Sequence, residues 1–415
     1  AQVAYTLLRT CASTGRIVHM LRLVPPALGK VAFTKFDKEL REVFASVLGV
    51  VCTPEAWRHA RLGVRLGGMG MVSALSRSQA AYASSVRFAA GVDGWNPEDA
   101  PEFASTKSSL INLLGETEWT ASLSAPEGQQ RALSMAMDRL ELRNLMDTPV
   151  VERRAHLKCC SEAQSSWLNV TPSAKFGTVM TSAEFVTCVK FWLGLEVEAA
   201  HKCPLCKERC DPEGRHAVTC NHGYSHGHRH DAVRNVIYAA AKRAGMKPLL
   251  EPVIATTNTY RPADILTAEA GGVVVNDVCI FNPLRGPFIH TAAVAPKTAA
   301  AEYARREKEL RFSLELENHG VSLRPLCADM FGGWSETAES FFRLLTRTES
   351  MRANTPQDDV SSRLKARLSF AIMRANARTI LRRRVSGRNA VLDDVWSEPI
   401  TTRSTGTILP PLDRH

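Results

Sequence analysis

Apolar positions in the first 150 residues recur at helical spacing. In FDKELREVFASVLGV, Phe36, Leu40, Val43, Phe44, Val47 and Leu48 fall on one stripe, which predicts an amphipathic helix. TPEAW follows, with Thr53 as N-cap and Pro54 at the first helical position. RLGGMGM, from Arg65 to Met71, is too rich in glycine for a helix interior and predicts a turn or a close-approach loop. It lacks the Gly-Lys-Ser/Thr ending of a phosphate-cradling loop. SRSQAAYASS then resumes a helix of small residues.

Beyond residue 150 the pattern changes. SAEFVTCVKFWLGL, Ser182 to Leu195, reads as a helix next to a cysteine cluster. DAVRNVIYAAAKRAGMKPL, residues 231–249, is an amphipathic helix stopped at Gly245. EPVIATT and GGVVVNDVCIF are strand-like, with turn signals between them. A helix is predicted from Thr298 to Gly320, then a short strand in VSLRPLCADMF. The order helix, strand, strand, helix, strand indicates an α/β unit. From residue 361 a last helix puts Leu364, Leu368, Ile372 and Ala375 on one face. Arg363, Lys365, Arg367, Arg374, Arg378 and the run Arg382-Arg383-Arg384 fill the rest. No internal repeat is visible, and the last dozen residues are expected to be disordered. The fold class is α+β overall: a helical N-terminal half, a small Cys/His knuckle, an α/β domain and a basic helical tail.

At 415 residues the chain has room for two to four domains. No apolar run reaches the roughly 18 residues of a membrane span, so no membrane partner is expected. The chain opens Ala1-Gln2-Val3 with no visible signal peptide, as expected of a fragment or a processed product. Lysine and arginine (52) exceed aspartate and glutamate (42), which favours polyanionic partners. The basic tail face is open to two readings, a solvated surface or contact with a nucleic-acid backbone. Of eleven cysteines, seven are scattered and four lie between Cys203 and Cys220. That distribution fits a reducing compartment with a metal site rather than a disulfide framework.

The cluster is CPLCKERCDPEGRHAVTC. Cys203 and Cys206 form a thiolate pair on a turn, and His216 and Cys220 lie one helical turn apart; together they can close a tetrahedron around Zn²⁺. Cys210 is a fifth candidate, less expected between the two pairs. So small a segment, with Leu205 and Val218 as its large apolar groups, needs the metal to fold. NHGYSHGHRHD follows, with His222, His226, His228 and His230. A glycine-interleaved run of this kind is read as a flexible loop before a second metal site. Arg229 and His230, at the start of the next helix, are within reach of a phosphate or of a cleft beyond it.

Asp277 interrupts an apolar strand, Val273-Val274-Val275 before it and Val278-Cys279-Ile280 after it. A buried carboxylate is costly unless it is paired or binds a cation. Twelve residues separate Asp264 from Asp277 across the Gly271-Gly272 turn, so two antiparallel strands bring both acids to one edge. Paired carboxylates make a hard oxygen site suited to Mg²⁺. The following helix offers Lys308 and Arg311 at i, i+3, and a lysine beside such a site can orient water and offset phosphate charge. Lys297 is a rival, closer in sequence to Asp277.

Acid, strand acid and lysine in this order resemble the restriction-endonuclease-like nucleases. Most of those carry the lysine two residues after the second acid, where this chain has Cys279. The Cys-Cys-His-Cys knuckle, RHDAVRNVIYAAAKRAG, EP, RPAD, VNDVCIFNP and KELRF, in that order, resemble the C-terminal region of non-LTR retrotransposon polyproteins with such a nuclease. YTLLRTC, HMLRLVPP, FDKELREVFASVLG, RLGGMGMVSA and QAAYASS are similar to the thumb and linker of their reverse transcriptases. The resemblance implies a thumb-like region over 1–130, a helical linker over 131–200, the zinc knuckle over 201–230, the nuclease over 231–345 and a basic tail over 346–415. It further implies a nuclear, Mg²⁺-dependent endonuclease that nicks target DNA to prime reverse transcription, with element RNA as a further partner. Carried over by position, Asp264, Asp277 and Lys308 are the catalytic set, Glu251 the upstream acid and Arg311 a second basic residue. The polymerase palm is missing, and VLDDV, residues 391–395, is read as surface acids. The rival reading is a binding module whose nuclease core has decayed.

Overall fold

The computed structural model describes residues 1–93, 95–220, 222, 225–252, 263–269 and 271–383. It divides into two compact units, Ala1–Pro149 and Val150–His415. The fold is mixed α+β.

The first unit is helical: α1 (Gln2–Cys11), α2 (Val18–Leu23), α3 (Pro26–Leu48), α4 (Pro54–Arg61), α5 (Ala74–Asp93), α6 (Pro101–Leu114), α7 (Glu116–Leu123) and α8 (Gln129–Met146). α5 is central because its alanines admit neighbours on two sides. Leu21 and Phe33 pack with Ala74 and Ala81 on one side, and Phe103, Leu110, Trp119 and Leu133 pack with Ala80 and Ala83 on the other. Asp37 caps α5, accepting from Ser73 Oγ at 2.5 Å and the Ala74 amide at 2.6 Å. Thr53 caps α4 through the Ala56 amide, with Pro54 at the first position as the sequence predicts. The RLGGMGM loop is structural. Its Met69 and Met71 amides donate to Ala60 O, and Tyr5 Oη donates to Met69 O at 2.6 Å. A side chain at Gly68 would collide with the Leu62 carbonyl.

The second unit holds α9 (Val151–Ala163), α10 (Ser182–Leu193), β1 (His201–Lys202), β2 (Arg209–Cys210), α11 (Arg215–Thr219), α12 (Ser225–Ala244), β3 (Leu249–Leu250), β4 (Ile265–Glu269), β5 (Gly272–Phe281), α13 (Ile289–Ala292), α14 (Pro296–Ala304), α15 (Leu310–Glu317), β6 (Ser322–Asp329), α16 (Glu336–Ala353) and α17 (Gln357–Arg383). β3 to β6 form one sheet in sequence order. The first three strands are antiparallel, and β5 pairs parallel with β6 through the helical crossover. One face packs Ile265, Val278, Ile280 and Leu326 against α12, α16 and α17. The other packs Val275 against Leu316 of α15. β5 is therefore covered on both faces, as its near-continuous apolar run predicts.

Four expectations change. The tail is not separate: Leu364, Leu368 and Ile372 of α17 belong to the sheet core, and residue 345/346 falls inside α16. The linker is split, since α8 belongs to the first unit and α9 and α10 to the second. The predicted 298–320 helix is α14 and α15 joined by a π-helical turn, Arg305–Glu309. The histidine run is mostly not a loop, because α12 begins at Ser225. The EPVIATT strand beyond Pro252, Pro262, Arg384, VLDDV and the last dozen residues lie outside the described residues. No helix among the described residues is long and apolar enough to cross a membrane.

Candidate functional site

Two sites are built within the second unit. In the knuckle, β1 and β2 pair His201 with Cys210 and Lys202 with Arg209, which closes the turn carrying Cys203 and Cys206. Lys207 takes φ 68° so that its amide can donate to Cys203 O. Asp211 caps α11 by accepting from the Arg215 and His216 amides at 2.8 and 2.6 Å. That places His216 and Cys220 opposite the thiol pair. His216 Nε2 lies 3.2 Å from Cys206 Sγ, while Nδ1 faces Glu208 Oε2 at 3.6 Å on the outer side. An acid behind the outer nitrogen orients a ligand imidazole.

The ligand atoms of Cys203, Cys206, His216 and Cys220 all lie within 4.8 Å of one another, a set that fits a metal ion such as zinc. Burial works against the Cys203 thiolate, but the Cys206 and Leu205 amides and His216 outweigh it and bring its pKa down to about 6. Cys210 is buried beside the set but outside it. Burial, with the Cys203 charge, pushes Cys210 up to about 12, which suits a neutral packing thiol.

The second site lies where β4, β5, α12 and the π-turn meet. The register Ile265↔Asn276 makes Asp264 and Asp277 the next facing pair across the two strands. Asp264 is buried; its Oδ2 accepts from the Val278 amide at 2.7 Å and from His230 Nε2 at 2.9 Å. Asp277 Oδ2 lies 2.7 Å from Lys308 Nζ, but off the line of a well-formed hydrogen bond. Burial pushes the Asp277 carboxyl pKa up, the Lys308 ammonium opposes that, and Asp264 adds to it. Burial works against the Lys308 ammonium as well, yet Asp277 outweighs it and holds the lysine above its ordinary pKa. His230 loses by burial and gains more from Asp231 and Asp264, which lift it to about 9.

The sequence-predicted residues divide accordingly. Asp264, Asp277 and Lys308 come together. Lys297 does not join them; it pairs with Glu339 of α16 at 2.8 Å. Arg311 does not join them either, because the π-turn widens the helix between it and Lys308 and Glu307 holds it at 2.9 Å on an exposed surface. Glu251 donates its amide to Asp264 O at 2.8 Å, but its carboxylate pairs with Arg234 at 2.8 Å rather than with the two aspartates.

Arg229 is buried away from the cleft and donates to Val218 O and Asn376 Oδ1. Burial, then the neighbouring Arg383 charge, lowers its pKa to about 10. Arg383, which the sequence leaves open between a solvated face and a nucleic-acid contact, is buried instead, and donates to the carbonyls of Ala217, Cys220 and His222. Sequence reasoning missed the Arg234–Glu251 pair and the π-turn. The first had a signal, since Asp231 and Arg234 stand at i, i+3 before Glu251. The second had none. The chain matches no protein-family model and no curated protein.

Proposed function

We propose that the second unit is a divalent-metal-dependent endonuclease that nicks target DNA, the nuclease module of a non-LTR retrotransposon protein working in the nucleus. The observation that carries this reading is the meeting of Lys308 with Asp277 at 2.7 Å, on the strand pair that sets Asp277 opposite Asp264. Two buried carboxylates and one ammonium on three different elements are costly to assemble for stability alone. Asp277 Oδ2, buried without a well-formed hydrogen bond, is an oxygen donor of the kind Mg²⁺ takes, and Asp264 supplies a second.

Asp264 and Asp277 would hold the divalent ion, which when bound would supply Lewis-acid polarisation of a phosphodiester and a more acidic water. The protein's own groups do the rest. His230 and the Val278 amide hold the Asp264 carboxylate in one orientation. Lys308 faces the oxygen that Asp277 presents and offsets charge developing on the phosphate. The lysine reaches the site from the crossover helix because its usual strand position is Cys279, buried against β6. The knuckle, with Zn²⁺ on Cys203, Cys206, His216 and Cys220, braces α17 against the start of α12 and so supports His230.

The test is a nicking assay on supercoiled DNA in Mg²⁺ with purified protein. The wild-type chain is expected to nick and Asp277→Asn to be silent while still binding DNA. Wild-type binding without nicking, in Mg²⁺ and in Mn²⁺, refutes the enzyme reading in favour of a binding module with a decayed core.

A further inference from the structure

A groove of about 320 Å³ runs between α12, α17 and the loop 176–178, apart from the carboxylate site. Its floor is apolar: Ala232, Val236 and Ala239 of α12 face Phe370, Ala371 and Ala375 of α17. Its rim is cationic, with Arg243, Arg367, Arg374 and Arg378, and no acidic side chain among the described residues lines it. Two rim arginines are held by acids outside the groove, Arg378 by Glu184 at 2.5 Å and Arg243 by Glu349 at 2.9 Å. Arg374 lies over the Phe370 ring at 5.3 Å and donates to Gly177 O, so its guanidinium is held between α17 and the loop. The half-buried ring of Phe176 lines the same groove, with Lys175 over it at 5.7 Å. Arg367 is half-buried beside Arg243 and Arg363, and Glu349 is the acid set against all three.

We propose that this groove takes one nucleotide of a single-stranded nucleic acid, the base between Phe176 and Arg374 and the phosphate at Arg367. The proposal does not rest on the nuclease reading. The size sits at the lower end for pockets that hold a small molecule (roughly 300–1,000 Å³). A duplex keeps its base faces stacked and offers none to a ring, whereas an unpaired strand offers one per nucleotide. Aromatic rings and guanidinium planes are the surfaces on which unpaired bases stack, and this groove is lined by both. An apolar floor that excludes acids, beneath an arginine rim, matches a base joined to a phosphate better than it matches a neutral apolar ligand.

The test uses the full chain and fluorescein-labelled dT10, read by anisotropy, beside rU10, a hairpin duplex and dodecyl phosphate as competitors. The wild type is expected to bind dT10 or rU10, the stronger of the two naming the natural strand, with competition by neither hairpin nor dodecyl phosphate. Ala239→Trp fills the groove without changing charge and is expected to weaken binding about tenfold. Arg367→Ala is expected to weaken it and to reduce the salt slope by about one. Photo-crosslinking of wild-type protein to a 4-thiothymidine-containing dT10 is expected to label Phe176 or the α17 segment around Phe370. That arm stands even where a variant fails to fold. Crosslinks confined to other surfaces, or Ala239→Trp binding as well as the wild type, overturn the proposal. Displacement by dodecyl phosphate overturns it in favour of a lipid anion.

Discussion

Arg383→Ala tests the assignment of the basic tail. Arg383 is 2% exposed, and its guanidinium meets no carboxylate among the described residues; its partners are the carbonyls of Ala217, Cys220 and His222, the last at 2.9 Å. The Arg383 carbonyl in turn accepts from His201 Nε2 at 3.1 Å, so this one residue ties both ends of the knuckle to α17. Hydrogen bonds from a charged donor contribute about 1.5–3 kcal/mol each, and a buried carbonyl stripped of its donor costs about 1–3 kcal/mol. Removing a buried charge returns part of that. The net loss is expected to be about 3 kcal/mol. Arg383→Met, which keeps the apolar stem and removes only the donors, should retain most of that loss. The assay is urea unfolding followed by zinc release to a chromogenic chelator, which reports on the knuckle itself. Both variants should release zinc at lower urea than the wild type, with DNA affinity at low urea unchanged. If Arg383→Met releases zinc like the wild type and instead loses DNA affinity with a shallower salt slope, the residue is a phosphate contact.

Asp277→Asn and Lys308→Ala should each abolish nicking while DNA affinity stays within about twofold, and Lys297→Ala should nick like the wild type; an active Lys308→Ala with a silent Lys297→Ala would reverse the lysine assignment. Cys206→Ser should lower bound zinc below one per chain by metal analysis and make residues 203–220 sensitive to protease, whereas Cys210→Ser should keep the metal. Asp329 is fully buried, and burial pushes its carboxyl up to about 7 against the Phe331 and Gly333 amides that oppose the shift. The folded state then holds a proton that the unfolded chain has released, so stability falls as pH rises from about 4 to 7. Three pH units at about 1.36 kcal/mol each give a loss of about 4 kcal/mol as an order of magnitude. Asp329→Asn should flatten that fall between about pH 4 and pH 7 in urea titrations, and an unchanged slope would place the titration elsewhere.

The knuckle was legible because its ligands are close in sequence and their spacing is itself the geometry. The strand pair was legible for the same reason: a two-residue loop fixes the register, and the register faces Asp264 to Asp277. Lys308 was legible as a candidate, but its approach depends on a π-turn that no propensity signals. Lys297 was a rival in sequence only, since Glu339, the acid that holds it, lies 42 residues away. The arginines misled most. In sequence, Arg229 and Arg383 stand among other basic residues; in the fold both are buried, Arg229 on the Val218 carbonyl and the Asn376 side-chain oxygen and Arg383 on carbonyls of the knuckle and His222. The charge pattern gives a helix face its polarity but does not identify the carbonyls that will accept from it.

The path of α17 sets an order on synthesis. This helix lies in the sheet core with α12 and α16, meets α10 through Arg378 and Glu184, and closes the knuckle through Arg383. All these partners leave the ribosome earlier. Until residue 383 has emerged, the parts of α10 and α12 that α17 covers and the carbonyls of the knuckle stay open, although β3 to β6 are already made. At about 5–20 residues per second, the stretch from the start of α16 to the end of α17, residues 336–383, leaves that surface open for seconds. During that interval the nascent unit is a client for chaperones that bind exposed apolar segments. A chain cut short within α17 should be cleared as unfolded rather than persist as a folded but weaker protein.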